Sequence, residues 1–88
     1  MAYKILYSKD FLKGFQSLSK HEQKQAKNKI EIMSTDPRHP SLRSKPIKAS
    51  KKRFEASVNM SIRIFWEYEG EGAIRLLEIG HHDILKRY

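Results

Sequence analysis

Cysteine is absent from these 88 residues. That excludes disulfides and thiolate metal sites together, and it suits a reducing compartment. Long apolar runs are missing too. No window approaches the roughly 20 apolar residues of a membrane span, and the opening Met-Ala-Tyr-Lys-Ile-Leu-Tyr holds no apolar run long enough for a signal peptide. A soluble, cytoplasmic chain with no membrane partner is the expectation. There are no repeats, no low-complexity tract and no glycine-rich loop to cradle a phosphate. Acid is scarce: 10 Asp+Glu against 18 Lys+Arg leave a net charge of +8. Such an excess attracts a polyanion, either nucleic acid or an acidic protein, whereas a basic surface serving solubility alone is the competing reading. At this length the chain is expected to form a single domain over residues 1–88 with one core.

What is present is organised around residues 61–68, Ser-Ile-Arg-Ile-Phe-Trp-Glu-Tyr, the longest strand-favouring run. Alternation puts Ile62, Ile64 and Trp66 on one face and Arg63, Phe65 and Glu67 on the other. An arginine in mid-strand among apolar neighbours needs partners. Ahead of this strand, residues 2–7 read as a strand and Ser8 as the cap of a helix whose apolar stripe is Phe11, Phe15 and Leu18. Ser19 with Glu22 has the form of a capping box, so a second helix follows at once, burying Ala26, Ile30 and Met33 and ending near Ser34 before Asp36-Pro37 and His39-Pro40. The two helices form an antiparallel hairpin. Residues 43–53 then carry six basic side chains and no acid: Arg43, Lys45, Lys48, Lys51, Lys52 and Arg53. This run is a candidate for facing phosphates, and a solvated loop is its bland alternative.

Residues 54–58 alternate as a half-buried strand, Asn59-Met60 reads as a tight turn, and Glu69-Gly70-Glu71-Gly72 as a second turn leading to a last strand over residues 73–79. With a four-residue turn at 69–72, Arg63 faces Glu78 and Phe65 faces Leu76. Gly80 then ends the strand, and the tail gathers His81, His82, Asp83, Arg87 and Tyr88. Adjacent residues on an extended segment point apart, so His-His-Asp is a poor ion trap. No metal and no cofactor are expected. The fold class that follows is α+β: two N-terminal helices on one face of a small, largely antiparallel four-stranded sheet, in the order β-α-α-β-β-β.

That order, with Leu42 to Pro46 entering the basic run, Ser61-Ile62-Arg63-Ile64-Phe65 on the sheet, and Ile79-Gly80-His81-His82 followed by Tyr88, resembles the RelE/ParE toxin superfamily over nearly the whole chain. The resemblance implies the toxin of a toxin–antitoxin pair, an endoribonuclease that cuts mRNA on the ribosome and is inhibited by a cognate antitoxin. It also implies the roles of three residues. Arg63 contacts the scissile phosphate, His82 is the proton donor, and Tyr88 assists by holding the phosphate, stacking on a base or moving the 2′-OH proton. The match departs where RelE-type members carry two lysines on the preceding strand, because Phe54 and Ala56 stand at the corresponding positions. Glu55, or Lys51 and Lys52, are the substitutes for the general base. Two readings compete: a non-enzymatic ParE-like inhibitor of DNA gyrase, which shares the fold and generally lacks the catalytic set, and an inactive basic adaptor.

Overall fold

A computed structural model of the chain describes residues 2–47 and 52–82. Its elements are β1 (Lys4–Tyr7), α1 (Lys9–Gln16), α2 (Lys20–Thr35), a 3-10 turn (Pro40–Leu42), β2 (Lys45–Pro46), β3 (Arg53–Ser57), β4 (Ile62–Glu69) and β5 (Ala73–His81). The sheet order is β1-β5-β4-β3-β2, which puts β4 in the middle. β1 runs parallel to β5, and the other neighbours are antiparallel. The sheet thus has five strands where the sequence suggests four. The additional one is the two-residue edge at Lys45–Pro46, where the proline leaves the strand short.

Capping fixes both helices. The Ser8 hydroxyl accepts the Phe11 N–H at 2.9 Å and donates to the Leu77 carbonyl at 2.7 Å, so one side chain starts α1 and ties it to β5. Ser19 and Glu22 form the reciprocal box expected of them. The Ser19 backbone N–H holds the Glu22 carboxyl below its usual pKa. Between them, Gly14 lets α1 lie directly on the sheet, since a Cβ there would stand 2.2 Å from the Ile79 carbonyl oxygen. The core collects Phe11, Leu18, Ala26, Ile30, Met33, Ile62, Ile64 and Trp66 with Phe15 packed against them, as the alternation and the helical stripes require. Phe54 stacks on Trp66 with ring centroids 4.6 Å apart. No helix among the described residues is long and apolar enough to cross a membrane.

The β4–β5 register differs from expectation in a way that reaches the site. Glu69 pairs with Ala73, so the turn has three residues, with Gly70 and Gly72 at φ of 62° and 100°, where glycine is at no steric disadvantage. Farther along, Trp66 pairs with Leu76 and Phe65 with Glu78, which leaves Leu77 as an extra residue in a bulge. The shorter turn and the bulge each move the partner by one residue. Arg63 therefore faces Gly80 and not Glu78, and Phe65 faces Glu78 and not Leu76. The strand also continues past Gly80 to His81.

Candidate active site

Arg63 lies on the sheet face away from the helices, near the end of β4 where the chain turns at Asn59 and Met60. The turn is held by one side chain. Asn59 Oδ1 accepts the N–H groups of Ser61 and Ile62, each at 2.8 Å, and Asn59 Nδ2 donates to Gln25 Oε1 on α2 at 2.9 Å. The same residue's carbonyl accepts Arg63 Nη1 at 2.6 Å, and the Ile62 carbonyl accepts it at 3.2 Å. The guanidinium is thus fixed by backbone oxygens, which carry no charge to cancel its own.

Its carboxylate partner comes from the other neighbouring strand. Glu55 Oε2 is 3.5 Å from Arg63 Nε and 3.8 Å from Lys45 Nζ, with the side chains of Arg63 and Glu55 only 18% and 14% exposed. Alternation along β3 explains the placement. Arg53, Glu55 and Ser57 share the face of Arg63, while Phe54 and Ala56 turn into the core. The positions matched to the two lysines of the RelE pattern are therefore core positions here, and the acid between them faces the arginine. His82 follows the end of β5. Its backbone N–H donates to the Ser61 carbonyl at 2.7 Å, which puts it opposite Ser61 and diagonal to Arg63. In a regular ladder such diagonal neighbours lie roughly 7–8 Å apart, and Gly80 places no side chain opposite Arg63.

Two clefts meet at the turn. One, of about 240 Å³, is lined by Lys29, Arg43, Asn59, Met60 and Arg63 among others. The second, of about 290 Å³, is lined by Met60, Ser61, His81 and His82. Met60, 90% exposed, is the rim between them. His81 points to the helix side, 3.8 Å from Glu22.

Of the residues expected from sequence, Arg43 and Arg63 line one cleft and His82 lines the neighbouring one, with Met60 common to both. Lys45 and Arg53 lie along the β2–β3 edge and pair with Glu55 and Glu67, each at 3.8 Å, so this stretch of the basic run is partly neutralised. Lys52 is exposed beside them. Lys48, Lys51 and Tyr88 lie outside the described residues. Sequence reasoning missed Asn59 as the holder of Arg63 and Lys29 as part of the cleft. Asn59 carried a signal as a turn residue, whereas Lys29 looked like any other wet lysine of α2.

Comparison with solved structures decides the fold. The RelE–RelB complex from Pyrococcus horikoshii superimposes with a TM-score of 0.76 over 92% of this chain and 96% of that one, at 16% identity. The E. coli DinJ–YafQ toxin–antitoxin complex matches with a TM-score of 0.78, at 18% identity over 97% and 98%. This is the RelE fold. A YoeB/ParE toxin from Agrobacterium tumefaciens has it as well, with a TM-score of 0.78 at 12% identity over 90% and 98%. No protein-family model and no curated protein matches the sequence. At such identities the RelE fold is what these chains share, and the chemistry has to be argued from the residues.

Proposed function

We propose that this chain is the toxin of a toxin–antitoxin pair and cuts mRNA, on the ribosome, by attack of the 2′-OH on the adjacent phosphate. The observation that carries the reading is the Glu55–Arg63 pair on the open face of a RelE-fold sheet, with Arg63 lining a cationic cleft and His82 lining the adjoining one. The reaction needs a base for the 2′-OH proton, charge stabilisation for the phosphorane and an acid for the leaving 5′-oxygen. Glu55 takes the proton as the 2′-oxygen bonds to phosphorus. Arg63 meets the developing charge with donors already aimed by Asn59, and His82 protonates the 5′-oxygen as the P–O bond breaks. Tyr88 is assigned an assisting role on the strength of the resemblance. No step calls for a divalent ion.

The basic residues Arg43, Lys45, Lys48, Lys51, Lys52 and Arg53 are assigned to the RNA backbone in this reading, and an acidic or amphipathic antitoxin is the partner that covers them. That two of the similar structures are complexes of a toxin with its partner supports the second assignment. The test is a cleavage assay with purified protein, ribosomes and mRNA. Wild-type protein is expected to cut and the Arg63→Ala and His82→Ala variants to fail while staying folded. Wild-type protein that cuts nothing yet inhibits gyrase supercoiling would replace the proposal with the ParE-like reading.

A further inference from the structure

We infer that the cleft beside Arg63 is a second phosphate subsite, in which Lys29 and Arg43 hold a neighbouring phosphodiester of the same single-stranded RNA whose scissile phosphate Arg63 receives. The inference deepens the proposed function and rests on it for the identity of the strand. Its ground is how charge is distributed over the sheet side of the molecule. Along the sheet's open face, cations meet carboxylates: Lys45 and Arg63 share Glu55, Arg53 meets Glu67, and Arg75 meets Glu69. The cleft of about 240 Å³ differs, because no carboxylate lines it and, of its three cations, only Arg63 is paired with one among the described residues.

Each wall is built. Lys29 reaches across from α2, and its Nζ donates to the Ser41 carbonyl at 3.3 Å, a neutral contact that leaves the charge in place. Arg43 stands on the opposite lip at φ 51°, a left-handed backbone directly after the 3-10 turn, with its N–H bonded to the Pro40 carbonyl at 3.1 Å. No acidic partner for Arg43 is found among the described residues. A concave wall bearing one sign of charge concentrates counter-ions of the other. The opening is shared with Arg63, so the anion it takes adjoins the one at the catalytic group. A strand of linked phosphates fits that pairing, whereas a lone phosphate would leave one of the two places empty.

The experiment reads counter-ion release. Binding of a short single-stranded 2′-O-methyl RNA is measured by fluorescence anisotropy over a salt series for wild type, Lys29→Gln, Arg43→Asn, the double variant and Lys24→Gln. Asparagine is chosen at position 43 because it tolerates positive φ, and thermal unfolding checks that each variant is folded. The slope of log K against log salt should fall by about 0.7 for each cation removed from the cleft, the single-strand increment per phosphate contact, and stay unchanged for Lys24→Gln, which alters an exposed lysine of α2 outside the cleft. An unchanged slope in the double variant would overturn the subsite, as would an equal drop in Lys24→Gln, which would make the effect one of net charge. The methylated strand has no nucleophile and is never cut. A protein that shows the slope change but cleaves no ordinary mRNA keeps the subsite and loses the proposed reaction, and one that cleaves with an unchanged slope does the reverse.

Discussion

Arg63 and Arg75 stand on the same face of the same sheet, toward opposite ends, and they are held in opposite ways. Arg75 gives both arms of its fork to one carboxylate, with Nε and Nη2 each 2.6 Å from the two oxygens of Glu69. The pair closes on itself. The hydrogen bonds from Arg75 hold the Glu69 carboxyl below its usual pKa, and Glu69 raises that of Arg75. Arg63 instead spends Nη1 on the carbonyls of Asn59 and Ile62 and meets its carboxylate only through Nε at 3.5 Å. The first arrangement neutralises a charge, and the second positions one. Cavity size and chemistry point to opposite ends of the sheet. A cleft of about 590 Å³ lies at the Arg75 end, lined by Tyr3, Asp36, Arg38, Tyr68 and Glu71 among others, yet the groups suited to proton transfer and phosphate binding gather around the smaller clefts at the other end.

The comparison is broken most sharply by removing the groups assigned to proton transfer. His82→Ala and Glu55→Gln should each lower the cleavage rate by roughly 10²–10⁴, measured in single-turnover assays, with unfolding transitions close to wild type because neither residue belongs to the core cluster. Next in size, Arg63→Ala should cost about 10²–10³ in rate, and Arg63→Lys should fail to restore it, since an ammonium cannot make the same directed contacts. Arg75→Ala should leave the rate unchanged. An equal loss in Arg75→Ala would mean that the two arginines are not distinguished by how they are held.

A third prediction concerns the packing that carries β5, and with it Gly80 and His82, into place. Gly14→Ala drives a methyl toward the Ile79 carbonyl and should destabilise the fold by about 1–3 kcal/mol, visible as a lower melting temperature. A neutral or stabilising outcome would show that α1 moves freely over the sheet. The smallest effect belongs to the closed pair. Glu69 has a depressed folded pKa, so its contribution to stability is present above the ordinary carboxylate range and is lost as pH falls through the folded value. Arg75→Ala should therefore flatten the acid side of the stability profile slightly. Identical profiles for the two proteins would show the pair to be without consequence.

The face of β4 was legible because a period-two pattern on eight residues leaves little choice: Ile62, Ile64 and Trp66 are all fully buried. The helix starts were legible from Ser8 and from the Ser19–Glu22 box, where a specific side chain answers a specific backbone need. Register was not. The Leu77 bulge has no sequence mark of its own, and it coincides with a tertiary contact, the Ser8 hydroxyl on the Leu77 carbonyl, across most of the chain. The simple hairpin register sets the arginine opposite Glu78, whereas the structure supplies Glu55 from the opposite side. The face of Arg63 is unaffected by this, since the same face is reached whether the strand is shifted by zero or by two. Lys29 was illegible for a simpler reason: its place in the cleft depends on where the 3-10 turn falls, and nothing in the spacing of α2 distinguishes it from Lys24 or Lys27.

The most direct test of the central claim is the chemistry of the cut ends. Wild-type protein incubated with ribosomes and mRNA, in chelator at levels that keep the ribosomes intact, should leave a 2′,3′-cyclic phosphate and a 5′-OH. The Arg63→Ala, His82→Ala double variant should leave the message whole. Cleavage that persists in that variant, or wild-type ends bearing a 5′-phosphate, would contradict the account.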